Sequence, residues 1–297
     1  MVCVLMSTYN GAKYLDKQIE SLIKQRYAIS CILIRDDGSS DETLSLIKDY
    51  EQKYDMIKLI TGKNVGSTRS FLELINIAPS FDYYAFCDQD DIWDDDKLQI
   101  AIDNLEKLPS NVPNMYFSNA RLVNAQGEYL YVWHKQKFAK QNKFAALLEN
   151  KATGATMVFN KVALEYVKDR CYDGVKHHDW WMYLITKFFG NVIYDERPHI
   201  NYRQHDGNVV GARKKPFLYR LVHFIKDNSC PRLKNSRAFY REYVELLKKD
   251  DSYKIRKLIT YQKSLCSKFR ILTDSDFFDD VIDINIKDRL LIIFNKL

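Results

Sequence analysis

The sequence predicts an α/β fold, a mostly parallel central sheet with flanking helices, followed by a basic and mostly helical C-terminal extension. Three observations carry this. Short apolar runs alternate with segments of helical periodicity from residue 2 onward. Each of the early runs ends in a cluster of Ser, Thr, Asn, Asp or Gly. The charge balance then changes: residues 1–211 carry 25 Lys and Arg against 28 Asp and Glu, whereas Arg213 to Arg270 carry 17 against 5. That shift sets a boundary near residue 212 and divides the chain into domains 1–211 and 212–297.

Residues 2–6 read as a buried strand, and Ala12 to Gln25 as a helix with Leu15, Ile19, Leu22 and Ile23 on one face. Cys31 to Ile34 is a second strand. Asp41 caps the next helix, in which Leu44, Ile47 and Tyr54 point inward, and Ile57 to Ile60 is a third strand. A helix over Arg69 to Ile77, the strand Tyr83 to Phe86, and a helix with Leu98, Ile102 and Leu105 on one face follow. Met115 to Trp133 reads as short strands around a Gln126-Gly127 turn, Met157 to Phe159 as a strand, and Trp180 to Phe189 as a helix. In the extension, Leu218, Leu221, Val222 and Ile225 keep helical spacing among Arg213, Lys214, Lys215, Arg220 and Lys226. Alternation of strand and helix implies right-handed crossovers and a ligand site beyond the carboxyl ends of the strands.

At 297 residues the chain is long enough for one large domain plus an appendage. Its six cysteines are scattered without a Cys-x-x-Cys, and Cys3, Cys31 and Cys87 lie in or beside apolar runs, which favours buried thiols in a reducing cytosol over disulfides or a zinc site. No signal peptide and no stretch of 18 apolar residues is read, so the expected location is cytoplasmic, peripheral at the inner face of the cell membrane.

Cys87-Asp88-Gln89-Asp90-Asp91-Ile92-Trp93 is the most informative segment, with three carboxylates directly after an apolar strand. Mg²⁺ and Mn²⁺ take oxygen ligands, and such cations are usually held by one or two carboxylates plus substrate phosphate. A lone Asp-x-Asp is more often a solvated turn. Ser7-Thr8-Tyr9-Asn10-Gly11 ends the first strand and suits either a nucleobase contact or an ordinary strand-to-helix turn. Asp36-Asp37-Gly38-Ser39-Ser40-Asp41 ends the second, where helix capping accounts for Asp41 better than for the Asp36-Asp37 pair. Arg69, after Asn64-Val65-Gly66, is a phosphate contact or a plain surface charge.

In order and spacing, these segments resemble the family two glycosyltransferases of GT-A fold, over roughly residues 1–211. The resemblance implies that Thr8, Tyr9, Asn10 and Asp37 hold a pyrimidine nucleotide, with Arg69 on the phosphates. It further implies that Asp88 and Asp90 meet the ribose and metal, with Asp91 the direct metal contact. Thr153-Gly154-Ala155-Thr156-Met157 resembles the family's acceptor-side strand, bringing in Gly154. His177-His178-Asp179-Trp180-Trp181 falls where the family shows its acidic residue before a helix. Inverting transfer needs one carboxylate to take the acceptor hydroxyl's proton, and Asp179 is the candidate base. An N-cap is the ordinary job for such an Asp, and Trp180 and Trp181 are either a sugar platform or core aromatics. Tyr202-Arg203-Gln204-His205 with Asn208-Val209-Val210-Gly211 resembles the segment that closes over the diphosphate, Arg203 neutralising phosphate and His205 either joining Asp90 and Asp91 at the metal or donating to phosphate. The combination looks most like the bacterial rhamnosyltransferase-like branch.

The expected activity is therefore inverting, metal-dependent transfer from dTDP-rhamnose or a UDP-hexose to a saccharide acceptor, lipid-linked, in capsule, O-antigen or cell-wall polysaccharide synthesis. The expected cofactor is Mg²⁺ or Mn²⁺. Partners are the nucleotide-sugar donor, the acceptor and, through the basic extension, an anionic membrane surface; a homodimer stays open and no nucleic acid is expected, since the extension's aromatics follow core spacing. A glycan- or nucleotide-binding scaffold of the same fold, a Mg-dependent phosphohydrolase and a receiver domain are the rivals. The phosphohydrolase would place its acidic strand near the domain start, and the receiver would leave residues 153–211 without a purpose.

Overall fold

The structure is a computed structural model that describes residues 1–133, 142–205, 230–278 and 282–297. Asn208 to Gly211 and the cations Arg213, Lys214, Lys215, Arg220 and Lys226 lie outside the described residues, as do Leu218, Leu221, Val222 and Ile225. Packing divides the chain into two compact units: Met1–Lys137, Ala152–Asp169 and Phe189–Gly211 form the first, and Phe138–Lys151, Arg170–Phe188 and Ala212–Leu297 the second. Two internal stretches that the charge boundary near 212 left in the N-terminal domain thus pack with the C-terminal segment.

The first unit is a nine-stranded sheet with helices. Its strands are β1 Val2–Thr8, β2 Cys31–Asp36, β3 Ile57–Thr61, β4 Tyr83–Cys87, β5 Ile92–Trp93, β6 Asn114–Val123, β7 Tyr129–Val132, β8 Val158–Asn160 and β9 Asn191–Arg203. The order is β3-β2-β1-β4-β8-β6-β9-β5, with β7 on β6. β3, β2, β1 and β4 pair in parallel. Beyond β4 the sheet is mixed, β8 running antiparallel to β4 and β6, β9 parallel to β6, and β5 antiparallel to β9. β1 and β2 are buried almost throughout, as expected for strands covered on both faces, and this is why they read as unbroken apolar runs. Cys3, Cys31 and Cys87 are buried free thiols.

Helices α1 Ala12–Ile23, α2 Thr43–Lys53, α3 Ser67–Ile77, α4 Lys97–Leu105 and α5 Lys161–Val167 belong to this unit. α1 buries Leu15, Ile19 and Leu22, one stripe at helical spacing. α2 begins at Thr43, so Asp41 lies two residues ahead of it; its carboxylate accepts from Thr43 N at 3.1 Å and from Ala12 N, the start of α1, at 3.2 Å. β9 was not anticipated. It follows Gly190, where a Cβ would lie 1.6 Å from Pro113 O, so only glycine lets the chain enter the strand beside β6.

The second unit holds α6 His178–Phe189 up to residue 188, then α7 Pro231–Tyr243, α8 Lys249–Ile259, α9 Leu265–Thr273 and α10 Ile282–Ile293. Its core includes Trp181, stacked edge-on against Phe239 at 5.9 Å and tilted against Tyr243 at 5.8 Å. Lys143 pairs with Asp251 at 2.7 Å, and Ser236 Oγ donates to Leu147 O at 3.0 Å, tying the internal stretch 138–151 to the C-terminal helices. Among the described residues no helix is long and apolar enough to cross a membrane.

Candidate active site

The polar clusters at the ends of β1, β2, β3 and β4 meet one another in the first unit. Thr8 Oγ1 donates to Asp36 Oδ2 at 3.0 Å, and Asp36 also accepts from Ser39 N at 2.9 Å and Ser39 Oγ at 2.6 Å. Asn10 takes a left-handed backbone, φ 48°, tolerable for a short polar side chain that bonds locally. Its Oδ1 accepts from Ser40 N at 2.8 Å, and its own N–H donates to Ser39 Oγ at 2.9 Å. Thr8 and Asn10 thus lock the first two loops together.

Tyr9 lies between them, 46% exposed as a residue. Gln89 brackets its backbone, accepting from Tyr9 N at 2.8 Å and donating Nε2 to Tyr9 O at 3.0 Å. A Cβ on Gly11 would come within 2.2 Å of Gln89 Oε1, so glycine there makes room for the bracket. Asp37 is buried. Its carboxylate pairs with Arg35 and accepts from Val65 N and Gly66 N, just ahead of α3, both at about 3 Å. Arg35 is buried as well and reaches Glu73 at 2.9 Å and Ser70 Oγ at 3.2 Å. Arg69 is half exposed on the first turn of α3, 3.4 Å from Glu73.

In the acidic loop the three carboxylates are not equivalent. Asp88 is partly buried. Asp90 Oδ2 lies 2.6 Å from His205 Nε2, and the His205 ring stacks on Tyr14 at 4.8 Å. Asp91 is 1% exposed; its Oδ1 accepts from Arg203 N at 3.0 Å, while Oδ2 has no hydrogen-bond partner. Burial, with the charges of Asp90 and Asp88 beside it, pushes the Asp91 carboxyl well above the usual range. A buried carboxylate oxygen without a donor, flanked by two more carboxylates, is a donor set that suits a hard divalent cation. Arg203 is buried, donating Nε to Asp90 O at 2.8 Å and Nη1 to Ala125 O at 3.1 Å, with its guanidinium 4.8 Å from the Tyr14 ring. In this structure it holds the acidic loop rather than facing open space.

Directly after the loop, Lys97 is fully buried, its Nζ 3.4 Å from the Trp93 ring centre and without a hydrogen bond. Burial pulls this ammonium down to about 7. Asp94, Asp96 and His199 form a separate group whose ligand atoms lie within 4.8 Å of one another. Its members are already engaged: Asp94 with Arg121, and His199 with Asp195 at 3.3 Å.

Gly154 is buried in a short turn before β8, its carbonyl accepting from Met157 N at 2.9 Å. Asp179 lies in the second unit, partly buried in the first turn of α6, where its Oδ1 accepts from Trp180 N at 2.6 Å. Trp180 and Trp181 require a correction. Trp180 donates Nε1 to Ala146 O at 2.7 Å and Trp181 is 0% exposed, so both rings are core and neither offers a face to a sugar. Sequence reasoning missed Gln89, Arg35, Tyr14 and Lys97. Gln89 stood inside the recognised motif, but nothing in its type announced a loop bracket.

Parallel strands whose loops converge at their carboxyl ends, extended by a mixed half-sheet, make up a GT-A fold. The chain belongs to glycosyl transferase family 2, whose profile matches residues 3–167. It is 33% identical over 219 residues to the dTDP-rhamnosyl transferase RfbG of Shigella flexneri, covering 70% of this chain and 74% of that protein. It is 31% identical over 124 residues, 42% of this chain and 47% of that protein, to the Escherichia coli glucosyltransferase WfgD, described as acting from UDP-Glc on GlcNAc-diphosphoundecaprenol. The S. aureus TarS fragment 1–349, solved with UDP-GlcNAc, superposes with a TM-score of 0.56 over 98% of this chain and 90% of that one, at 13% identity, a likeness of fold.

Proposed function

We propose that this chain is an inverting, metal-dependent glycosyltransferase that moves a sugar from a pyrimidine nucleotide donor, dTDP-rhamnose or a UDP-hexose, to a lipid-linked saccharide in bacterial surface-polysaccharide synthesis. The observation that carries the reading is Asp91, a buried carboxylate with one unsatisfied oxygen, set between Asp90 with its His205 partner and the loop braced to Tyr9. The names of the relatives from Shigella and E. coli support the donor and acceptor classes.

In this proposal Asp91, Asp90 and His205 hold Mg²⁺ or Mn²⁺, which when bound supplies positive charge against the diphosphate leaving group. Tyr9 offers its ring to the base, and Asp37 and Asn10 shape the loops around it. Asp88 faces the ribose and Arg69 the phosphates. Arg203 acts indirectly, by fixing the backbone of Asp90 and the carboxylate of Asp91. Asp179 accepts the proton of the acceptor hydroxyl as that oxygen attacks the anomeric carbon, and Gly154 lies on the acceptor side. The enzyme works at the cytoplasmic face of the membrane, the basic segment from Arg213 onward favouring anionic lipid. The test is sugar-nucleotide turnover with and without Mn²⁺: Asp91→Asn keeps a cooperative fold and loses metal-dependent activity, and full activity in excess chelator overturns the metal assignment.

A further inference from the structure

Two loops with different ligand roles in the proposed function are joined by one side chain. Thr8 and Asn10, on either side of Tyr9, are held by the loop after β2: Thr8 bonds Asp36, and Asn10 bonds Ser39 and Ser40. Gly11 N donates to Thr43 Oγ1 at 2.8 Å. Tyr9 itself is held from the acidic loop. The Gln89 amide takes up both its N–H and its carbonyl, at 2.8 and 3.0 Å, and only one orientation of an amide satisfies both.

Gln89 sits between Asp88 and Asp90. Asp90 is fixed in turn, its side chain 2.6 Å from His205 and its carbonyl accepting from Arg203 Nε at 2.8 Å. One short path therefore leads from the carboxylate on the metal side to the backbone that carries the Tyr9 ring. Gly11 shows the same bracket from its other end. With φ −110° its backbone stays in the ordinary negative range, so the glycine is not there for a left-handed conformation. A Cβ at this position would meet Gln89 Oε1 at 2.2 Å, Cδ at 2.4 Å and Nε2 at 3.0 Å. The space a side chain would fill is the space the amide occupies.

We propose that Gln89 is a positioning residue for donor recognition: its amide sets the Tyr9 ring in a fixed place relative to the acidic loop, so that the base and the diphosphate of one nucleotide are met together. The inference rests on the reading of Tyr9 as the base contact and of Asp90 and Asp91 as the metal side. Gln89 touches neither base nor phosphate in this role. It removes the ordering cost of a ring carried on an exposed loop, a cost that binding would otherwise have to overcome. Two neutral hydrogen bonds of ordinary net strength correspond to roughly tenfold in affinity.

The experiment is calorimetry of the full chain with Mg²⁺ present, comparing UDP with inorganic pyrophosphate, which offers the diphosphate without a base. Wild type is expected to bind UDP more tightly than pyrophosphate. Gln89→Ala is expected to bind UDP roughly tenfold more weakly, with pyrophosphate affinity unchanged. Its circular dichroism and urea midpoint stay close to wild type, because the lost bonds are exposed. Gly11→Ala is expected to reproduce the loss, since the atoms it displaces are the movable end of a flexible side chain. The Gln89→Ala/Gly11→Ala double variant is then no weaker than either single variant, as for two changes that break one interaction. Undiminished UDP affinity in Gln89→Ala overturns the proposal, as does an equal loss for UDP and pyrophosphate, or single losses that add in the double variant. A wild type that binds UDP no better than pyrophosphate fails one step earlier: it removes the base-reading part of the proposed function, and this inference with it.

Discussion

Lys97→Met gives the sharpest physical test of the ground beneath the acidic loop. Methionine keeps most of the stem that packs on Trp93 and removes an amine that is fully buried and has no hydrogen-bond acceptor. Burial lowers that amine from 10.5 to about 7, which at about 1.4 kcal/mol per pH unit corresponds to about 5 kcal/mol of cost in the charged form. The folded value lies below the unfolded one, so between about pH 7 and 10.5 the unfolded chain binds more protons and wild-type stability rises with pH. At and below pH 7 the cost is present in full; above 10.5 it is gone. The variant is therefore expected to be more stable than wild type near pH 7 by up to about 5 kcal/mol, an upper bound because the contact of the ammonium with the Trp93 ring is lost with the amine. That gap should close by about 1.4 kcal/mol per pH unit on going to pH 9 and beyond. Urea denaturation of both proteins at several pH values measures it. A variant less stable than wild type at pH 7, with a gap independent of pH, would refute the reasoning and place a stabilising partner at Lys97.

Other outcomes bear on the proposed chemistry. Calorimetry is expected to show UDP or dTDP binding far more tightly than GDP or ADP, and equal affinities would remove the base-reading role from the Tyr9 loop. Asp179→Asn is expected to lower turnover by about 10² to 10⁴ with donor affinity nearly unchanged, since general-base help is of that size; near-normal turnover, or a product retaining the donor's anomeric configuration, defeats that assignment. Asn is the better probe than Ala because Asp179 also accepts from Trp180 N at the start of α6.

The strand ends were legible because a buried parallel strand is a run of apolar residues and its ligand-side loop is not, and Thr8, Asp36, Arg69 and Asp91 each follow such a run. What each polar residue does inside the cluster was not. Asp36 and Asp37 are adjacent and chemically identical, yet one clamps Thr8 and Ser39 while the other closes on Arg35 and the residues before α3. Both are 2% exposed, so it is the partners each side chain meets that separate them, and those belong to the fold. α6 hid its orientation for a similar reason: Trp180 to Thr186 are all buried, so no polar face marks a direction and the tryptophans could not be assigned to core or surface from spacing. β9 escaped because Asp195-Glu196-Arg197-Pro198 interrupts its pattern. In the structure that interruption is a register shift, Asp195 opposite Ser118 and Pro198 opposite Asn119, with Arg197 and Tyr116 both bonded to Asp195.

The interleaving of the two units governs how this chain can be cut. Polypeptide leaves the sheet unit at residue 138, returns at 152, leaves at 170, returns at 189 and leaves finally at 212. A truncation after residue 211 would look like removal of a tail, but it would also take away Phe239 and Tyr243, against which Trp181 is packed, and Ser236, which holds Leu147. The remaining α6 would then present a nearly all-apolar helix to water. The C-terminal segment is therefore better regarded as the missing half of a helical core begun upstream, and a shortened chain would report on aggregation before it reported on catalysis.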